Sequence, residues 1–146
     1  MKGELLLDTH VWLWFAMPNS RLRQPAREAI GRAVNGARLH VSIMSIWEIS
    51  LLESKGRLHL GMSVENWITR ALTLPGLNVL ALEPELIFDA HRPPGQFHAD
   101  PADRLLVATA RHHHLRLITE DRNILDYARQ GYVRAHATDD KELLKP

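Results

Sequence analysis

Apolar residues follow two patterns along this chain. Short unbroken runs lie within residues 4–8, 38–42, 77–82 and 115–119, and a shorter one lies at 132–135. Runs of this length suit strands buried on both faces. Between them, apolar positions recur with a helical period across residues 9–17, 25–34, 43–55, 63–74, 83–91, 101–114 and 122–130. The punctuation agrees. Pro18-Asn19 stops the first helix, Pro25 opens the second, Gly56 ends the third and Gly131 the last. Ser63 caps the fourth helix and Pro75-Gly76 stops it, while Asp100 caps the helix that begins at Pro101. Strands and helices alternate throughout, which predicts an α/β sandwich with a mainly parallel sheet between helical layers.

With 146 residues and no repeat or low-complexity linker, the chain reads as one domain, residues 1–146. The most irregular stretch, Arg92-Pro-Pro-Gly-Gln-Phe-His-Ala-Asp-Pro101, is too short for a linker and reads as a surface loop. The absence of cysteine excludes a disulfide scaffold, a thiol nucleophile and an iron–sulfur cluster. A net charge of +1 excludes a broad basic coat, and the 14 Arg against 4 Lys are no more than a bias. No stretch of about 18 apolar residues occurs, and only a handful precede Asp8. The expectation is a cytoplasmic protein with no membrane segment.

Parallel sheets gather chemistry beyond the carboxyl ends of their strands. Asp8 ends the first strand, Glu48 lies in the helix after the second, Asp103 lies in the first turn of the helix from Pro101, and Asp121 follows the fourth strand. Each has a structural explanation. Asp8 and Asp121 suit helix N-caps, Asp103 suits the positive end of a helix dipole, and Ser45-Ile-Trp-Glu48 matches a capping box. As a set they say more. Glu48 is flanked by Ile46, Trp47, Ile49, Leu51 and Leu52, so its carboxylate points into something. Carboxylates brought together repel, and a hard divalent cation such as Mg²⁺ or Mn²⁺ neutralises them. No lysine lies near these acids in sequence; the neighbouring cations are Arg104 and Arg122.

Four blocks then carry a family resemblance: Leu5-Leu-Leu-Asp-Thr-His10, Val41-Ser-Ile-Met-Ser-Ile-Trp-Glu-Ile49, His98-Ala-Asp-Pro-Ala-Asp-Arg-Leu-Leu106 and Leu117-Ile-Thr-Glu-Asp121. In this order and spacing the chain resembles the PIN-domain nucleases, and within them the VapC-like toxin ribonucleases of bacterial toxin–antitoxin pairs. The resemblance implies a PIN fold and an endoribonuclease that hydrolyses RNA phosphodiesters with one or two Mg²⁺ or Mn²⁺ ions. It implies a catalytic, metal-binding quartet of Asp8, Glu48, Asp103 and Asp121, with Asp8 and Asp103 the most direct ligands. Thr119 becomes a hydrogen-bonding neighbour. Asp100 is either a helix cap or a further neighbour of the site. Arg104 and Arg122 are candidates to hold RNA phosphates, though a solvated Arg beside an acid is the commoner arrangement.

The remaining features are weighed against that reading. His112, His113 and His114 are consecutive at a helix end, so they point in different directions and suit the dipole rather than a metal. His10, His91 and His98 receive no ligand assignment. Trp12, Trp14, Trp47 and Trp67 all fall in helices and are expected mostly in the core. Trp12 and Trp14 cannot face one direction, which leaves one for an interface. The implied partners are RNA, a cognate antitoxin and a second copy of the chain, since two protomers pool their Arg residues. An RNA-processing PIN nuclease outside a toxin–antitoxin pair and a non-catalytic PIN-like binding module are the alternatives. Phosphatases that need a second Asp two positions after the first are disfavoured by His10.

Overall fold

The computed structural model describes residues 3–17 and 21–145. The helix stop at Pro18-Asn19 lies outside them. The elements run β1 (Leu5–Leu7), α1 (Thr9–Ala16), α2 (Gln24–Asn35), β2 (Leu39–Ser42), α3 (Ile43–Ser54), α4 (Val64–Ala71) and β3 (Leu77–Leu80). There follow α5 (Pro84–His91), α6 (Pro101–His113), β4 (Arg116–Ile118), α7 (Arg122–Arg129), β5 (Ala135–His136) and a 3₁₀ turn, Lys141–Leu144.

Among the described residues, five strands form one parallel sheet in the order β3-β2-β1-β4-β5. The chain winds outward from β1 in one direction through β2 and β3, then returns to β1's other side for β4 and β5. The reversal lies between β1 and β4, where an open α/β sheet has its crevice. The expected three-layer α/β architecture is the one observed.

β1 is buried on both faces because its three leucines divide between two cores. Leu5 and Leu7 pack with Val11, Trp12, Ile30, Val41 and Ile49 on the side of α1 to α4. Leu6 packs with Leu106, Leu117, Ile124 and Tyr127 on the side of α6 and α7. Alternation along an extended strand produces that split. Burying a leucine on either side stabilises the sheet by roughly 1.5–3 kcal/mol.

Three local expectations need correction. The last strand is Ala135–His136, not 132–135: Gly131 turns at φ +91°, Tyr132 stacks on Tyr127 at 4.9 Å, and pairing with β4 begins only at Ala135. α4 ends at Ala71 rather than near 74. There the Thr73 hydroxyl donates to the Arg70 carbonyl, and Gly76 lies so close to Val34 O that a Cβ would stand 2.0 Å from it. That close approach ties the following turn to α2. Finally, Ser42, not Ser45, caps α3 by accepting from Met44 N at 3.1 Å. Glu48 is therefore in mid-helix, and the capping-box reading of Ser45 and Glu48 does not hold. No helix among the described residues is long and apolar enough to cross a membrane.

Candidate active site at the carboxyl edge of the sheet

Asp8 leaves β1 with its carboxylate held from two sides. Oδ1 accepts from Thr9 N at 2.7 Å, capping α1, and Oδ2 accepts from the Thr119 hydroxyl at 2.6 Å. Thr119 itself is fully buried beyond β4, and its Oγ1 accepts from Asp121 N at 2.9 Å. One threonine thus links the ends of β1 and β4 and fixes the turn into α7. Asp121 caps α7 through Ile124 N at 3.0 Å.

Glu48 reaches the same region from α3. Its Oε1 lies 2.5 Å from the Thr9 hydroxyl, which is also 2.8 Å from Ser45 Oγ. Thr9 and Ser45 are buried beside it, so polar side chains solvate the inner end of the carboxylate where water is excluded. Asp103 comes from the first turn of α6, whose cap is Asp100 accepting from Ala102 N at 2.9 Å and Asp103 N at 3.4 Å. Asp100 is exposed and acts as the cap, while its charge is felt by both Glu48 and Asp103.

The site is short of positive charge. Burial pushes the Asp103 carboxyl up to about 7, and the charges of Asp121, Asp100, Asp8 and Glu48 push the same way. Burial also raises Asp8, against the hydrogen bonds from Thr119 and Thr9. Glu48 is raised by burial first, against its bond to Thr9, with Asp8 and Asp100 adding repulsion. His10, exposed at the start of α1, offsets part of this on Asp8 and Glu48. The four carboxylates come from four elements and lie near enough for the other three to act on Asp103, but of the four only Asp103 and Asp121 belong to a close group of possible ligand atoms among the described residues.

The flanking cations divide. Arg122 is exposed at the start of α7, beside Asp121. Arg104 is arranged for another purpose. Its Nε donates to His98 O at 2.8 Å, one terminal nitrogen to His91 O and Ala90 O at 3.2 and 3.5 Å, and the other to Phe97 O at 3.2 Å. The guanidinium satisfies the carboxyl end of α5 and ties down the loop before α6, which leaves it turned away from a phosphate role.

That loop carries the residue missed by sequence reasoning. His98 Nε2 lies 2.9 Å from Asp103 Oδ2, yet it is buried without a hydrogen-bond partner because the contact falls off the N–H···O line. Ligand atoms of His98, Asp103 and Asp121 all lie within 4.8 Å of one another, the one such group of three among the described residues. A donor set of oxygens with an unpartnered imidazole nitrogen fits a divalent cation. The three consecutive histidines at the end of α6 form no such group. His114 is instead the left-handed C-cap, at φ 56°. Of the tryptophans, Trp12 and Trp67 meet in the core at 5.9 Å, Trp14 is half-buried and Trp47, at 62% exposure, faces solvent.

Acidic side chains gathered beyond the strand ends of an open parallel sheet, at its reversal point, place the site where such folds bind ligands. Residues 5–130 match the PIN domain model, and the chain belongs to the PIN-domain family. It is 33% identical over 120 residues to Ribonuclease VapC22 of Mycobacterium tuberculosis (strain ATCC 25618 / H37Rv), spanning 82% of this chain and 88% of that protein. The fold is shared with DNA-bound VapBC from Salmonella typhimurium at TM-score 0.64 and 16% identity, covering 92% of this chain and 98% of that one. FitAcB from Neisseria gonorrhoeae is similar at TM-score 0.60 and 21% identity, covering 92% and 97% respectively.

Proposed function

We propose that this chain is a divalent-metal-dependent endoribonuclease and the toxin of a toxin–antitoxin pair. The observation that carries the reading is a crevice of acids short of positive charge, in which burial first, and then the charges of Asp121, Asp100, Asp8 and Glu48, raise the Asp103 carboxyl to about 7. Such a site is poised for a cation. The 33% identity to a ribonuclease supports RNA as the substrate.

In this reading Asp8 and Asp103 are the most direct ligands to Mg²⁺ or Mn²⁺, with Glu48 and Asp121 completing the quartet. When bound, the ion supplies Lewis acidity toward a phosphoryl oxygen and makes water a stronger nucleophile. The chain's own groups supply the order. Thr119 and Thr9 N hold both oxygens of Asp8, so the carboxylate is oriented before any ligand arrives. The Thr9 hydroxyl anchors Glu48. Asp100 adds charge from the rim, and Arg122 offers a guanidinium to an RNA phosphate. In the reaction, water adds to phosphorus and a phosphodiester P–O bond breaks.

The antitoxin partner is supported by the likeness in fold to a toxin–antitoxin complex from Klebsiella pneumoniae, at TM-score 0.55 and 18% identity, covering 82% of this chain and 89% of that one. Ile43 and Trp47, exposed one turn apart on α3 next to Glu48, are apolar surface of the kind a partner covers. A homodimer is proposed because a near-neutral chain gathers enough Arg for RNA only by pairing. Light scattering at micromolar concentration should give twice the chain mass; a monomer contradicts it.

The test is cleavage of a mixed, structured RNA pool by the purified chain with Mg²⁺, Mn²⁺ or EDTA. Metal-dependent cutting that EDTA abolishes is expected. Cutting that is undiminished in EDTA contradicts the proposal.

A further inference from the structure

His98 belongs to no part of the quartet, and its position is built rather than incidental. Arg104 fixes its backbone through the carbonyls of His98 and Phe97. The Phe97 ring meets the His98 ring edge-on at 4.6 Å and leans on Tyr127 at 4.7 Å. The half-buried imidazole is thereby held with its Nε2 out of solvent, beside Asp103.

The 2.9 Å contact between Nε2 and Asp103 Oδ2 does not have hydrogen-bond geometry. A proton shared between them would lie on the line joining them. Two adjacent ligands of an octahedral ion behave differently. With bonds of about 2.0–2.1 Å at right angles, the donor atoms stand about 2.9 Å apart and each points at the ion, not at the other. Asp121 completes the triangle within 4.8 Å.

We propose that His98 is a nitrogen ligand, beside Asp103 and Asp121, of a metal bound in the acidic quartet, and that it tilts this site from Mg²⁺ toward Mn²⁺ and other first-row transition ions. The proposal rests on the metal-site reading above. Imidazole suits transition ions, whereas Mg²⁺ prefers oxygen and water. His98 thus sets metal selectivity, and Arg104 acts as its positioning residue.

The test is Mn²⁺ and Mg²⁺ titration of the full chain, with pulsed electron paramagnetic resonance of the Mn²⁺ form, for wild type, His98→Gln and His98→Ala. The wild type should show ¹⁴N modulation from a coordinated imidazole. Both variants should lose it and bind Mn²⁺ on the order of tenfold more weakly or worse. Mg²⁺ affinity should change much less, and thermal unfolding of the metal-free variants should match wild type. Bound Mn²⁺ without ¹⁴N modulation in the wild type overturns the role of His98 and leaves the carboxylate site standing. Modulation that persists in both variants also overturns it, by assigning the nitrogen elsewhere. Failure of the wild type to bind Mn²⁺ at all overturns both readings.

Discussion

The Thr119 hydroxyl donates to Asp8 Oδ2 at 2.6 Å, joining residues 111 positions apart at the ends of two adjacent parallel strands. This bond spans the point where the sheet reverses its winding. It converts a feature of topology into the orientation of one carboxylate. Because Thr119 also accepts from Asp121 N, it sets two acids of the crevice at once. Thr119→Val should therefore leave a raised, buried Asp8 without its best donor. The expected loss is about 1–3 kcal/mol in urea unfolding, with RNA cleavage down on the order of ten- to a hundredfold. Thr119→Ser should recover most of both. Equal behaviour of the Val and Ser variants would remove the hydroxyl from the account.

The acidic crevice should also make metal-free stability depend on pH. Asp103 titrates near 3.8 when unfolded and at about 7 when folded. Between those values the folded chain binds more protons than the unfolded one, so stability falls as pH rises from about 4 to about 7. Asp8 and Glu48 are shifted the same way and reinforce the trend. The melting temperature in EDTA should drop across that window and recover on adding Mn²⁺ at the upper end. Asp103→Asn should raise metal-free stability near neutral pH by on the order of 1–3 kcal/mol after allowing for screening by solvent, read as a higher melting temperature in EDTA. A wild type whose melting temperature is flat with pH in EDTA would contradict this electrostatic picture.

Arg104 is expected to act through the loop it binds. Arg104→Lys keeps the charge but lacks the planar fork that reaches carbonyls of α5 and the loop together. Amide exchange in the segment 91–98 should speed up, while amides of β1 and β4 stay protected. Global stability should fall by about 1.5–3 kcal/mol, the range for a charged hydrogen-bonding group. A variant with unchanged exchange in 91–98 but weaker RNA binding would return Arg104 to a phosphate role.

What the sequence disclosed depended on how local each signal was. Asp8, Asp103 and Asp121 were readable because each coincides with a strand end or helix start, and a parallel sheet brings those ends to one edge. Glu48 was readable because a lone carboxylate among Ile46, Trp47, Ile49, Leu51 and Leu52 stands out, although the half-buried position it occupies depends on Thr9. Arg104 and His98 were not, since their roles depend on a loop without periodicity folding back against α5 and α6. β5 was misplaced because a two-residue strand carries no pattern, and Tyr132 looked like strand while serving the Tyr127 stack. Trp47 was expected in the core and is exposed, because a helix with apolar residues on most sides does not itself say which side is covered. Among the expected helices, α1 to α3 and α5 to α7 were placed to within a residue or two, where Pro, Gly and capping residues mark the ends.

The central claim is that this crevice hydrolyses RNA with water under metal control. Its most direct test is the chemistry of the cut ends, read from single-turnover cleavage in ¹⁸O-labelled water with Mn²⁺, with Asp8→Asn and Asp103→Asn alongside. The account predicts linear phosphate ends that carry one solvent oxygen, formed by wild type and lost by on the order of a thousandfold in each variant. Ends that are 2′,3′-cyclic phosphates without solvent oxygen, or equal cutting by wild type and both variants, would contradict it.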